Sequence, residues 1–104
     1  MMKDIRVLVK TPGCKCRMAT IKNSDDTFKS IVNGPLQTIF VASELACVMN
    51  ENGKLVGAGR NVPIWGGWDV LVGTVIFCGF DEEEGYTDIT DRDIEILNFV
   101  YGVA

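Results

Sequence analysis

The feature that most constrains the fold is a series of short β-type runs, interrupted and closed by two helical segments. Ile5, Val7 and Val9 recur at every second position, which is the pattern of a strand with one buried face. Residues 17–22 alternate in the same way after the turn signal Thr11-Pro12-Gly13. The two segments therefore predict a hairpin.

A short helix is predicted to follow this hairpin. Ser24 is a favoured N-cap residue, because its hydroxyl can accept a hydrogen bond from a free N–H group of the first turn. Phe28, Ile31 and Val32 then follow at the spacing of one helix face. Gly34-Pro35 predicts the end of the helix.

The middle of the chain predicts further strands. Residues 36–50 favour two strands with a turn at Ser43-Glu44. Asn52-Gly53 predicts a type I′ turn, after which Lys54 begins a return strand. Residues 57–67 are rich in glycine and predict a loop or a broken strand.

A long β-type run and a closing helix complete the chain. Residues 68–80 predict one strand, in which Gly73 indicates a bulge or close packing. Thr90 and Asp93 stand at the positions of a capping box, with aspartate where glutamate is usual. The apolar face of this helix is broad and comprises Ile94, Ile96, Leu97, Phe99, Val100, Tyr101 and Val103. Such a face indicates burial against the sheet or against a second copy, and so favours a homodimer through the C-terminal helix.

The order of elements, β-β-α-β-β-(β)-β-α, predicts an α+β fold with a single domain over residues 1–104. We expect an antiparallel or mixed sheet of about five to six strands with two helices packed on it. The length suits one domain, and 47% hydrophobic with 23% charged residues is close to the globular average.

Neither a membrane span nor a signal-peptide core is evident, since no apolar run approaches roughly 18 residues. We therefore predict a cytoplasmic protein that contacts no membrane. Cys14, Cys16, Cys47 and Cys78 are accordingly predicted to be reduced thiols. The spacing Cys14-Lys15-Cys16 is a poor match to the usual spacing of zinc ligands, so we predict no metal and no cofactor.

Charge is distributed unevenly along the chain. The segment 81–95 carries a net charge of −7, and the remainder carries +3. These two parts are predicted to attract each other, within one chain or between two copies. The sequence pI near 4.6 argues against nucleic-acid binding.

The absence of histidine disfavours an enzyme. The chain contains no His, so it cannot form a Cys-His or Ser-His pair of its own. The carboxylates of residues 81–84 crowd a segment predicted to be a solvated loop, where nothing separates their pKa values. We predict no catalytic residue.

The glycine-rich segment offers the first candidate site. It is predicted either to be an irregular connection or to present a binding surface, with Arg60 and Asn61 as polar contacts and Trp65 and Trp68 as aromatic anchors. Arginine and tryptophan are frequent in the energetically dominant parts of interfaces. We therefore predict a partner-binding surface here.

Several motifs resemble those of one known family. Residues 50–55, Asn-Glu-Asn-Gly-Lys-Leu, are similar to its Asn-Glu-Glu-Gly-Lys-Leu signature. Residues 69–74, Asp-Val-Leu-Val-Gly-Thr, resemble its Asp-x-Ile-x-Gly-Thr strand, and residues 90–94 resemble the start of its closing helix. The family consists of small proteins and domains of unknown function from phages, plasmids and integrated mobile elements of bacteria.

The resemblance implies a mobile-element context and a compact α+β fold, but no reaction. Three motif positions, Asn50, Lys54 and Asp69, join the candidate binding residues on this basis. The chain departs from the family pattern at Val62, where relatives carry arginine, and in the aromatic run of residues 64–68.

Taken together, the sequence favours a non-enzymatic accessory domain that binds an unknown protein partner. A role in ligand binding or catalysis at residues 57–69 is the first alternative. The second is an acidic mimic of DNA that acts against host defence enzymes, with carboxylates spaced like phosphates.

Overall fold

The computed structural model describes residues 3–53, 59–64 and 69–101, and in this part the chain forms eight strands and two helices. These are β1 (Asp4–Lys10), β2 (Arg17–Lys22), α1 (Asp25–Val32), β3 (Leu36–Ala42), β4 (Leu45–Asn50), β5 (Arg60–Ile64), β6 (Asp69–Val72), β7 (Val75–Asp81), β8 (Gly85–Thr87) and α2 (Asp91–Tyr101). Every described strand pair is antiparallel. The predicted α+β class is confirmed, in its antiparallel form.

The main sheet has six strands: five in the order β2-β1-β7-β4-β3, and β8, which pairs with residues 79–81 of β7, whereas β1 pairs with residues 75–77. Strands β5 and β6 form a second, two-stranded sheet. The predicted return strand that begins at Lys54 lies outside the described residues.

Strands β4 and β7 are buried on both faces of the main sheet. Residues 45–49 and residues 75–79 are all buried, so each strand offers apolar side chains alternately to two separate cores. On one face, Phe28 and Val32 of α1 cover Val7, Val48 and Ile76. The opposite face requires a cover of its own.

That second cover combines a helix with the small sheet. Leu97 of α2 and Leu71 of β6 pack with Leu8, Cys47 and Phe77. The predicted packing of both helices on the sheet is thus confirmed, but they cover opposite faces rather than a single apolar side, and the β5–β6 hairpin adds a third covering element.

Arg6 joins the first strand to the segment that leads into α2. Its guanidinium donates hydrogen bonds to the carbonyl of Ile89 at 2.8 Å and 3.3 Å, and it pairs with the carboxylate of Asp91 at 3.2 Å. Its backbone N–H donates to Oδ1 of Asp88 at 2.7 Å, and its carbonyl accepts from the N–H of Ile89 at 2.8 Å. The predicted attraction between the basic and acidic parts of the chain is realised here within one molecule.

Both helices begin with the predicted caps. Oγ of Ser24 accepts a hydrogen bond from the N–H of Thr27 at 3.2 Å. Thr90 and Asp93 form a reciprocal capping box, in which each side chain accepts from the other residue's N–H at 3.1 Å. Aspartate therefore replaces the usual glutamate without loss of either bond. Neither described helix is long and apolar enough to cross a membrane.

The prediction is confirmed at the end of α1 and is wrong in turn type after β4. Helix α1 ends at its C-cap residue Asn33, directly before Gly34-Pro35 as predicted, and Asn33 takes the left-handed conformation with φ 66° and ψ 44°. The turn after β4 is closed by a hydrogen bond from the N–H of Gly53 to the carbonyl of Asn50. The described residues with positive φ include neither Asn52 nor Gly53, so this turn is not type I′.

The predicted long strand is in fact two strands. Gly73 has φ 72°, which a glycine adopts readily, and there the chain leaves β6 of the small sheet and turns into β7 of the main sheet. In α2, Phe99 is 93% exposed, so it does not belong to the face that packs on the sheet. The alternative cover for this face, a second copy of the chain, stays a prediction.

The cysteines differ sharply in their surroundings. Cys14 is exposed and Cys16 half-buried, whereas Cys47 and Cys78 are fully buried on opposite faces of the sheet. Burial raises the pKa of Cys47 far above its ordinary value and raises the pKa of Cys78 to about 12. The pKa of Cys16 is also raised by burial, although the nearby Lys10 partly opposes this.

We therefore expect stepwise alkylation of the folded protein at mildly alkaline pH. Because the thiolate is the reactive form and needs access to the reagent, Cys14 should react first and Cys16 more slowly. Cys47 and Cys78 should react only after unfolding in urea. A time course with N-ethylmaleimide, read by peptide mass spectrometry, tests this. Modification of Cys78 in the folded protein at the rate of Cys14 would contradict the fold.

Candidate functional site

The structure describes only some of the residues of the predicted binding surface. Lys54, Trp65 and Trp68 lie outside the described residues. Asp69 begins β6, and Arg60 is exposed at the start of β5. A surface formed jointly by these residues therefore stays a prediction.

Asn61 connects the small sheet to the main sheet. Its Nδ2 donates to the carbonyls of Lys10 and Gly73, both at 2.8 Å. Its Oδ1 is buried and has no hydrogen-bond partner among the described residues. The side-chain N–H groups thus satisfy the backbone at the end of β1 and at the junction of β6 with β7, which is a structural task.

Asn50 performs a similar task at the end of α1. Its Nδ2 donates to the carbonyl of Asn33 at 2.9 Å and to that of Val32 at 3.4 Å, while its Oδ1 accepts from the N–H of Asn52 at 2.7 Å. A Cβ at Gly34 would collide with this amide. Glycine at position 34 therefore permits the close approach of Asn50.

A row of aromatic rings, which the sequence analysis did not single out, lies on the face of the sheet that carries α1. Phe28 stacks on Tyr86 with ring centroids 5.0 Å apart. Phe80 meets Tyr86 edge-on at 6.0 Å and Phe40 edge-on at 5.1 Å. The row runs from the core beneath α1 to the surface, where Phe40 is 50% exposed.

The Phe28 end of the row is anchored by polar as well as apolar contacts. The hydroxyl of Tyr86 hydrogen-bonds the hydroxyl of Thr38. Burial raises the pKa of Tyr86, and the bond to Thr38 opposes that rise in part. The Tyr86 ring is therefore fixed, and through Phe80 it supports the exposed ring of Phe40.

The exposed end of the row lines an open groove of about 550 Å³, which we call the Phe40 groove. Its residues are Phe40, Ser43, Glu44, Phe80, Asp81, Glu82 and Glu83. They include four carboxylates and two aromatic rings, but no lysine or arginine. A surface of this composition attracts cations and apolar groups.

Two turns meet at the Phe40 groove because β4 and β7 are antiparallel neighbours. The β3–β4 turn contributes Glu44, whose carbonyl accepts a hydrogen bond from the N–H of Phe80 at 3.0 Å. In the β7–β8 turn, Oδ1 of Asp81 accepts from the N–H groups of Glu83 at 2.8 Å and Glu84 at 3.0 Å. The backbone of both turns is thus held by specific hydrogen bonds.

Glu44 has an unfavourable backbone conformation for its residue type. Its φ is 60°, in the left-handed region that glycine and asparagine adopt more readily. Residues held in such conformations are concentrated at functional sites. The position of Glu44 on the Phe40 groove is therefore notable.

No cluster of side chains that could hold a metal ion is found in the described part of the chain. Within residues 3–53, 59–64 and 69–101, no three His, Cys, Asp or Glu side chains are placed to hold a metal ion.

The strain at Glu44 predicts opposite effects of glycine at two adjacent positions. Replacement of Glu44 by Gly removes the left-handed penalty and should raise the free energy of unfolding by about 1 kcal/mol. Replacement of Ser43 by Gly relieves no such strain and should lower it by about 0.5 kcal/mol, through greater freedom of the unfolded chain. Urea denaturation of both variants provides the measurement; equal effects would show that φ at Glu44 is unstrained.

The capping role of Asn50 predicts a loss of stability on truncation. Replacement of Asn50 by Ala leaves the last carbonyls of α1 without their side-chain donor and should lower the free energy of unfolding by about 1 kcal/mol. The control is Asn98→Ala at an exposed position of α2, with an effect within about 0.5 kcal/mol. Thermal and urea unfolding of the two variants test this. Equal unfolding midpoints for Asn50→Ala and Asn98→Ala would show that Asn50 does not stabilise the end of α1.

Comparison with known proteins identifies a family but no activity. No curated protein and no solved structure matches the chain. A family model described as a domain of unknown function, DUF3846, matches residues 5–100. Because this match spans nearly the whole sequence, the chain belongs to the DUF3846 family.

Proposed function

We propose that this domain is a non-enzymatic, cytoplasmic accessory module of a phage or other mobile element, and that it binds a protein partner through the Phe40 groove. The observation that carries the proposal is the half-exposed ring of Phe40 at the end of an aromatic row whose other rings are buried or partly buried. The mobile-element context rests on the resemblance of the sequence motifs.

Phe40 differs from the other large apolar residues on the surface. Among the described residues, Met18 and Phe99 are also exposed, at 44% and 93%. Neither makes a ring contact with another described aromatic side chain, whereas Phe40 packs against Phe80. A supported aromatic ring loses little conformational freedom when a partner covers it, which favours tight contact.

The alternative at residues 57–69 receives less support. Asn61, one of its predicted polar contacts, uses its amide N–H groups to join the two sheets. A ligand-binding or catalytic role there stays a prediction for the part of the surface that includes Arg60.

The acidic mimic of DNA is also less favoured. Of the eight acidic residues in 81–95, half serve the fold directly: Asp81, Asp88, Asp91 and Asp93 bond a turn, β1, Arg6 and the start of α2 respectively. Because the fold itself accounts for these four carboxylates, they give no support to a role in mimicking DNA. This reading stays a prediction for the remaining four.

The proposal predicts selective loss of partner binding when the exposed ring is removed. Wild-type protein, Phe40→Ser and Met18→Ser are used to capture proteins from a lysate of the bacterial host. Phe40 and Met18 are similarly exposed on the two opposite edge strands of the main sheet, so they form a matched pair. We expect partners that wild type and Met18→Ser retain and Phe40→Ser loses, with affinity about 30-fold weaker for Phe40→Ser.

Two controls make the outcome decisive. Near-identical unfolding midpoints of the variants would show that lost binding is not lost folding. If Phe40→Ser retains every partner that wild type captures, the Phe40 groove is not the binding surface. Partners lost equally with Met18→Ser would point to a different face of the sheet.

A further inference from the structure

We infer that the Phe40 groove receives an arginine side chain from an extended segment of the partner protein. This inference rests on the proposed function and deepens it by naming the chemistry that is recognised. Its basis is the combination of an open aromatic ring, carboxylates around it, and the absence of any cation among the residues that line the groove.

The apolar floor of the groove suits a planar cation. The ring of Phe80 meets the ring of Phe40 at 73°, so one ring presents its edge to the other. This arrangement leaves Phe40 half-exposed to solvent. A guanidinium group stacks on aromatic faces and is more weakly hydrated than an ammonium group, so its transfer to such a surface is easier.

The floor is open because α1 does not reach it. Phe28 and Val32 are the buried residues of α1, and of these Phe28 contacts the aromatic row at Tyr86, two rings away from Phe40. The face around Phe40 therefore remains apolar and uncovered among the described residues. A partner segment that lies across it extends the cover that α1 begins.

The charge of the rim determines what kind of segment fits. Glu44, Asp81, Glu82 and Glu83 lie around one groove of about 550 Å³. The ion pair found among the described residues, between Arg6 and Asp91, involves none of them. Four like charges around an apolar floor repel one another, and an incoming cation relieves that repulsion.

Arginine can bond the carboxylates at the rim of the groove better than lysine can. Its planar fork of N–H donors can bond two carboxylate oxygens at once, whereas lysine offers a compact, strongly hydrated charge. Asp81 is already oriented by its bonds to the N–H groups of Glu83 and Glu84, and the backbone of Glu44 is tied to Phe80. Turns held in this way reduce the entropy lost on binding.

The open shape of the groove points to a peptide segment rather than an enclosed small molecule. Its volume lies within the range of about 300–1,000 Å³ typical of ligand sites. However, it is bordered by two surface turns and is not enclosed. An extended segment can cross such a groove while one side chain occupies the space between Phe40 and the rim.

The test uses three capped peptides of identical Gly/Ser backbone that carry either arginine, lysine or citrulline at the same positions. Citrulline keeps the shape of arginine but is neutral. Each peptide is titrated into ¹⁵N-labelled protein, and amide chemical shifts are followed. We expect the arginine peptide to shift the amides of Glu44, Phe80 and Glu83, and to bind about tenfold more tightly than the citrulline peptide.

Two variants separate the contributions of ring and rim. Phe40→Leu keeps an apolar side chain but removes the ring, and should weaken binding of the arginine peptide about threefold. Glu44→Gln keeps the size of the side chain but removes its charge, and should weaken it to a similar extent. Equal binding of the arginine and citrulline peptides, equal binding of arginine and lysine peptides, or shifts confined to other regions would overturn the inference.

Failure of this inference is distinguishable from failure of the proposed function. If host partners depend on Phe40 while the arginine peptide gives no shifts at the groove, the binding surface stands and the arginine inference is wrong. If no partner depends on Phe40, the proposed function itself fails, whatever the peptides do.

Discussion

Burial of β7 on both faces is the constraint on which the rest of the structure depends. Its residues 75–79 are fully enclosed, so the chain must supply an apolar cover for each side of the sheet. One cover is α1, which at eight residues is about 12 Å long. Strand β7, with seven residues, extends about 23 Å. A helix of that length leaves part of the face to be covered by other means.

The aromatic row covers the part of this face that α1 does not reach. Phe28 continues the apolar surface of α1 onto Tyr86, and Phe80 and Phe40 carry it to the end of the sheet. On the intervening strand β4, the small residue Ala46 pairs with Phe40 on one side and with Cys78, two residues before Phe80, on the other. The exposure of Phe40 is thus a geometric result of a short helix on a long sheet.

Many polar residues that attract attention in the sequence are used to satisfy backbone groups. Asn50 and Asn61 supply N–H donors where a helix and two strands end. Asp81 and Asp93 accept hydrogen bonds from N–H groups that have no partner within a regular element. By contrast, the carboxylates of Glu44 and Glu83 on the Phe40 groove make no hydrogen bond or ion pair within the described chain.

Local chemistry made much of the fold predictable. The alternation of β1, the N-cap at Ser24 and the capping box at Thr90 each depend on a few adjacent residues, and all appear in the structure. The break at Gly73 was missed because residues 68–80 are uniformly β-type, and only the pairing of β6 with β5 places the two halves in different sheets. Strand order is set by contacts between distant residues, which a local pattern does not contain.

The same limit explains why the Phe40 groove was missed. Ser43-Glu44 and residues 81–84 were each recognisable as turns, and the second as an acidic one, but they lie almost forty positions apart in the sequence. They meet only because Leu45 of β4 pairs with Gly79 of β7. At this junction an exposed ring and a non-glycine residue in a left-handed conformation occur together with the carboxylates of Glu44 and Glu83, which have no partner among the described residues. Each has a local origin in the fold, and the proposed contact with a partner rests on their occurrence at one place.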